Sequence, residues 1–393
     1  MPIPLATRVL RIKPSPTLAV SARAARLKAE GQDVLSLSVG EPDFDTPAHI
    51  AAAGIAAING GHTRYTNADG TPELKDAIIA KFRRDNGLDY ARAQILVSAG
   101  AKQTIFNLLE ALLNPGDEVL IPAPYWVSYP DMALLADGLP VFISAGAADG
   151  YKISPSQLAS AITPRTRLLI LNSPCNPTGA AYTRLELALL GAVLARHPRI
   201  VIGTDDMYEH IWWGAEPFCS FATACPELYP RTVTINGVSK SYAMTGWRIG
   251  YCGGPAELVT AMATIQGQST SNPSSISQKA AAAALTGDQA CVARMTAAFK
   301  ERHDFVVKGL NALRGVSCLK GSGTFYAFAN VERAMQNLGI DDDNAFAERL
   351  ITEALVAVMP GSGFGAPGHV RLSFACSLAT LEEALARMAR VLG

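Results

Sequence analysis

The sequence predicts an α/β fold on a mostly parallel sheet, and three observations carry that prediction. From about Ile95 to Tyr251 one rhythm repeats: a short apolar run, a turn, then a helical stretch. Several runs are apolar on consecutive positions, as strands covered on both faces must be. The chain, at 393 residues, is also long enough for two or three domains whose core needs no covalent staples.

Taken in order, the strand-like runs are Gln94 to Ser98, Glu118 to Pro122, Leu139 to Ile143, Arg167 to Asn172, Ile200 to Thr204, Thr232 to Gly237 and Ile249 to Gly253. Lys102 to Leu113 and Leu185 to Arg196 read as helices between them. Near residue 290 the pattern changes. A long helical segment, Gln289 to Leu313, precedes a strand at Thr324 to Asn330 and a helix around Asn344 to Leu355. Two short strands, Val356 to Met359 and His369 to Ser373, and a last helix near Leu381 to Leu392 complete what reads as a smaller α+β domain.

Composition narrows the function classes. Lys plus Arg and Asp plus Glu number 34 each, so the formal net charge is zero. That removes the electrostatic footprint of a nucleic-acid or anionic-membrane binder and leaves only local charge to work with. The seven cysteines are scattered with no C-x-x-C pair, so they read as reduced thiols, and no metal site is expected. Pro2, Pro4, Pro14 and Pro16 break the N-terminal segment where a secretory signal needs an apolar stretch, and no apolar run approaches the roughly 18 residues of a membrane span. A soluble cytoplasmic protein is expected.

The most informative segment runs from Asn236 to Gly250, in which Lys240 lies just beyond a predicted strand and Arg248 follows eight residues later. Burial and a nearby guanidinium lower a lysine pKa, and only the neutral amine attacks an aldehyde or carries a proton. Ser98-Ala-Gly-Ala-Lys-Gln103 leads from a strand into a helix, whose free amides can hold a phosphate. Asn172-Ser-Pro-Cys-Asn-Pro-Thr-Gly179 follows another strand and presents the Asn176 amide, or is only a tight turn. Asp205 and Tyr208 close a further strand, three residues apart; Asp205 is a site carboxylate or an N-cap. Trp126 is core packing or a lid for a planar ring. An amine, a carboxylate, a phosphate cradle with an arginine and a stacking aromatic together describe a site for pyridoxal phosphate.

The ordered motifs resemble a known family nearly end to end. They are Lys13-Pro-Ser-Pro-Thr17, Val39-Gly-Glu-Pro-Asp-Phe-Asp-Thr-Pro47, Tyr65-Thr-Asn-Ala-Asp-Gly-Thr-Pro-Glu-Leu74, Pro124-Tyr-Trp-Val-Ser-Tyr-Pro130, the lysine segment and Val370-Arg-Leu-Ser-Phe374. The chain resembles the class I and II aminotransferases of pyridoxal phosphate fold type I, in particular the bacterial aspartate aminotransferase branch. The resemblance implies a three-layer α/β/α large domain with a mostly parallel seven-stranded sheet, plus a smaller α+β domain. Residues 1–48 would form an N-terminal arm and part of the small domain, 49–290 the large domain and 291–393 the small C-terminal domain.

It further implies that Lys240 is the Schiff-base lysine, Asp205 the partner of the ring nitrogen, Tyr208 and Asn176 the donors to the ring oxygen, and Trp126 the ring stack. Gly100, Ala101, Lys102 and Arg248 would surround the phosphate, and Tyr65 would reach a neighbouring subunit's phosphate in a homodimer with shared sites. Arg371 would grip the substrate α-carboxylate beside Asn176 and the Gly40 backbone. Lys102 would meet a distal carboxylate, and Thr17 lies in a segment that would close over the site. The chain has Asp206 where many members have Glu, and Gly237 where many carry a phosphate-binding serine, for which Ser239 is the substitute at hand. The implied activity is amino transfer between aspartate or glutamate and 2-oxoglutarate or oxaloacetate by a ping-pong scheme. The alternatives are an aromatic or prephenate aminotransferase, or a pyridoxal phosphate β-lyase of the same fold. Gly361-Ser-Gly-Phe-Gly-Ala366 is set aside as a dinucleotide motif because it leads into a strand.

Overall fold

A computed structural model describes residues 3–14 and 16–393. Its first strand, β1 (Leu35–Ser36), is short. The next seven, β2 (Ile95–Ser98), β3 (Glu118–Ala123), β4 (Leu139–Ser144), β5 (Thr166–Asn172), β6 (Val201–Asp205), β7 (Thr232–Gly237) and β8 (Gly250–Gly253), form one sheet in the order β2-β8-β7-β6-β5-β3-β4. Pairing is parallel from β7 through β6, β5 and β3 to β4, while β8 runs antiparallel to β7 and β2. This is the mostly parallel α/β sheet that the apolar runs predict.

Two-residue periodicity sorts the strands' side chains onto two faces. Val119, Ile121, Leu168 and Ile170 share a core with Ile105, Leu108 and Leu109 of the helix Ala101–Leu112. Leu120, Leu169, Leu171 and Ile202 share another with Leu187, Leu190 and Leu194 of the helix Arg184–Leu194. Thr183 caps that second helix, accepting from the Glu186 amide at 3.2 Å while the Glu186 carboxylate accepts from the Thr183 amide at 2.7 Å. Strand β4 is one edge of the sheet, and Leu139 and Phe142 are correspondingly exposed.

The C-terminal part adds β9 (Ser317–Cys318), β10 (Tyr326–Asn330), β11 (Val356–Ala357), β12 (Met359–Pro360) and β13 (His369–Ser373). Four of them make an antiparallel sheet, β12-β13-β10-β9, and β11 pairs in parallel with β1. The single strand expected over Val356 to Met359 is therefore two strands in two sheets, with Val358 at the switch. Pro360 lies in β12, at an edge of its sheet, where its missing N–H costs no ladder bond. The helix expected around Asn344 to Leu355 is an α-helix, Asp343–Arg349, followed by a π-turn, Leu350–Ala354. Both chain ends meet here: Ala24, Leu27 and Val34 pack on Ile351 and Ala357. Among the described residues, no helix is long and apolar enough to cross a membrane.

Candidate active site

A cavity of about 350 Å³ opens where β2, β5 and β6 end and the adjoining loops begin. Its size lies in the range of roughly 300–1,000 Å³ typical of small-molecule sites, at the strand ends where open α/β sheets bind ligands. Gly40, Ala101, Lys102, Trp126, Asn176, Asp205, Tyr208, Ser239, Lys240, Arg248 and Arg371 all line it.

Lys240 reaches it from the loop after β7. Its Nζ donates to the Gly40 carbonyl at 2.5 Å and lies 5.9 Å from the centre of the Phe325 ring. Burial pulls its pKa down to about 8, and Arg371 and Arg248 push the same way against Glu41 and Asp205. The loop is tight at its start. A Cβ on Gly237 would lie 3.0 Å from both the Ile249 carbonyl and the Met207 methyl, so a serine there would press on both.

Asp205 is the last residue of β6 and is buried. One carboxylate oxygen accepts from the Tyr129 hydroxyl at 2.6 Å, the other from the Met207 amide at 3.3 Å. The second bond is the cap-like one; the first fixes the carboxylate from the buried Tyr129 behind it. Burial raises its pKa, while Tyr129, Met207 and Lys240 oppose that rise. Asn172 braces the same corner, donating to the Asp205 carbonyl at 2.7 Å and accepting from the Asn176 amide at 2.8 Å. The Tyr208 and Tyr326 hydroxyls lie 3.0 Å apart, and burial raises both pKa values, so both stay protonated at neutral pH.

At the start of the helix Ala101–Leu112, Gly100 adopts φ +92. A Cβ there would sit 2.3 Å from Arg248 Nη2, and one on Gly250 would sit 2.1 Å from the Ala101 nitrogen. Two glycines thus let a guanidinium and a helix N-terminus share one corner, a concentration of N–H donors that suits a phosphate. The Lys102 side chain leaves that corner: its Nζ lies 5.0 Å from the centre of the Trp126 ring.

Arg371, on β13, is 2% exposed. Nη1 donates to Asn176 Oδ1 at 2.9 Å and Nη2 to the Ser38 carbonyl at 2.7 Å, while Nε has no partner among the described residues. Its Cζ lies 4.4 Å from the Tyr326 ring centre and 4.9 Å from that of Phe364. Both hydrogen-bond partners are neutral. A buried guanidinium in that state gains strongly from an incoming carboxylate.

One expected residue lies elsewhere. Tyr65 is 93% exposed, outside the cavity. Thr17 is in the helix Pro16–Ala29, where its side chain falls outside the described residues. Tyr129, Tyr326, Asn172 and Ser38 take part without having been singled out. Tyr129 and Asn172 stand inside motifs already recognised; Tyr326 and the Ser38 carbonyl carry no local signal and arrive through tertiary packing.

A family model described as aminotransferase class I and II matches residues 32–388. An aspartate/prephenate aminotransferase of Nitrosomonas europaea is 56% identical over 99% of either chain. An aspartate aminotransferase of Geobacillus stearothermophilus is 49% identical over 98% of either chain. Among solved structures, the aspartate aminotransferase of Rhizobium meliloti superposes with a TM-score of 0.96 at 48% identity, covering 100% of this chain and 99% of that one. The aspartate aminotransferase of Thermus thermophilus with maleate gives 0.93 at 42% identity, covering 99% and 100%.

Proposed function

The chain belongs to the class I and II aminotransferases, and on that premise we propose that it moves an amino group between aspartate or glutamate and a 2-oxo acid, 2-oxoglutarate or oxaloacetate, with pyridoxal phosphate in the cavity. One observation carries the reading. Arg371, buried and without an anionic partner among the described residues, lines the same cavity as the Lys240 amine and the Asp205 carboxylate.

The donor set fits the cofactor. Asp205 would hold the proton of the ring nitrogen, Tyr208 and Asn176 would donate to the ring oxygen, and Trp126 would cover the ring. The Gly100, Ala101 and Lys102 backbone, Ser239 and Arg248 would hold the phosphate. When bound, pyridoxal phosphate supplies an electron sink for the pair left on the substrate α-carbon. Arg371 and Asn176, with the Gly40 backbone, would hold the substrate α-carboxylate. Lys240 would take the proton from the substrate α-carbon and return it at the carbon on the other side of the transferred nitrogen. With a pKa of about 8, about one Lys240 in ten is neutral at pH 7, against roughly one in a few thousand at the reference value. Burial therefore raises the supply of base by more than a hundredfold.

Lys102, above Trp126, supports a substrate with a second carboxylate, and Thr17 would belong to the segment closing over it. The Thermus thermophilus enzyme with maleate, a dicarboxylate, and the aspartate names of the relatives point the same way. Prephenate also carries two carboxylates, and the Nitrosomonas europaea relative's name makes it the second reading. The exposure of Tyr65 supports a homodimer in which that residue completes the neighbour's site. We assign residues 1–48 to an arm and part of the small domain, 49–290 to the large domain and 291–393 to the small one; the β1–β11 pairing of the two chain ends supports this. The seven free cysteines support a cytoplasmic location. A panel of amino donors with 2-oxoglutarate, repeated with Lys102→Ala, tests substrate choice. A drop of about tenfold in kcat/KM confined to aspartate and glutamate is expected; an equal drop for every donor would contradict a distal-carboxylate role.

A further inference from the structure

Behind the cavity wall lies a charged cluster that the reaction scheme leaves unused. Lys81 is 0% exposed and Glu209 is 4% exposed, and they form an ion pair. The Glu209 carboxylate also accepts from Asn86 Nδ2 at 2.7 Å and from Asn236 Nδ2 at 2.9 Å. Asn86 in turn accepts from Lys81 at 2.7 Å. A π-turn, Phe82–Asn86, folds the chain back to allow that closure, and such turns recur at functional sites. Asp85, Glu209 and His210 are grouped as metal ligands would be, but the Lys81 ammonium is already the cation among them.

The two ends of this cluster are informative. Glu209 stands in the turn that follows β6, one residue after Tyr208 and four after Asp205. Asn236 ends on the other side: its Oδ1 accepts from the Gly237 amide at 2.7 Å, three residues before Lys240. The Glu209–Asn236 bond is therefore a side-chain bridge between the segment carrying the acid and the segment carrying the amine. Burial works against the Glu209 charge, and Lys81, with His210 and Asn86, outweighs it and holds the carboxyl below its usual range. A buried ion pair is a poor source of net stability and a good source of fixed geometry.

We propose that Glu209 and Asn236 are positioning residues for the amino transfer, a clamp that sets the start of the Lys240 loop relative to Asp205 and Tyr208. Lys81 is the counter-charge that lets the clamp be buried. The inference rests on the reading of Lys240 and Asp205 given above.

Two double variants separate the clamp from the charge. Lys81→Met with Glu209→Gln removes both charges and keeps an acceptor for Asn236; Lys81→Met with Glu209→Leu removes the acceptor as well. The protein loaded with pyridoxal phosphate is followed by the pH midpoint of its visible absorbance band, by kcat and KM, and by thermal unfolding. The band reports Lys240, which Glu41, Asp205, Arg248 and Arg371 also face. The Gln variant should keep the midpoint and kcat. The Leu variant should move the midpoint by about half a pH unit or more and lower kcat about tenfold, with KM within about a factor of two. Asn236→Ala, which cuts the bridge without touching the ion pair, should behave like the Leu variant and decides the matter if the double variants fail to fold. Leu158→Val, in the remote core, should lower thermal stability and leave the midpoint in place. Equal behaviour of the Gln and Leu variants, or an unmoved midpoint in Asn236→Ala, would overturn the proposal. A wild-type protein with no visible band would instead overturn the underlying reading of Lys240.

Discussion

At Lys240 and Arg371, burial acts on two cations in one cavity, and each makes a measurable prediction. The Lys240 pKa falls from about 10.5 to about 8, so between those values the unfolded chain binds more protons than the folded one. Stability contributed by this residue therefore rises with pH across that window. Below pH 8 the charged amine costs on the order of 3 kcal/mol, which Lys240→Met should recover in the cofactor-free protein. The gap between the two proteins should close above about pH 10; a gap independent of pH would contradict the burial of a charged amine. For Arg371→Lys, loss of the planar fork should raise KM about tenfold to a hundredfold for donors and 2-oxo acids alike, read from initial rates. Lys240 was legible from its own segment, whereas Arg371 came forward only through the family resemblance that Val370-Arg-Leu-Ser-Phe374 helps to carry. Tyr326 came forward in neither way. Its hydroxyl lies 3.0 Å from that of Tyr208, 118 residues away in the chain, a contact made only in the tertiary fold.

Elements explain why the site lies where it does. Asn172 and Asp205 each end a parallel strand, so a regular sheet delivers them to one edge without any special loop. The strands were readable because burial on both faces leaves continuous apolar runs, and β4 was readable although it is an edge. The β11 to β12 switch was not, since only tertiary pairing tells a four-residue strand from two strands in different sheets. The helix Ala101–Leu112 announces its start by Gly100, but the closeness of β8 to that start is invisible locally. Gly250 makes the contact possible, and Gly250→Ala should displace the helix N-terminus, at about 1–3 kcal/mol in stability. The displacement should also weaken pyridoxal phosphate binding about tenfold in equilibrium dialysis. Unchanged affinity would separate the phosphate from this corner.

On the scale of the whole molecule, zero net charge hides a concentrated distribution: Lys240, Arg248 and Arg371 line one cavity, and Asp205 stands among them. If subunits share sites through Tyr65, mixing Lys240→Ala with Tyr65→Ala should give hybrid dimers holding one intact site. Activity at limiting cofactor should then exceed that of either parent; no gain would speak against shared sites. The central claim is that Lys240 is the amine on which the reaction turns. Borohydride reduction of the protein loaded with pyridoxal phosphate, followed by peptide mapping, tests it most directly. One label per chain is expected, on the peptide containing Lys240, with loss of the visible band. A label on any other lysine, or no band to bleach, would contradict it.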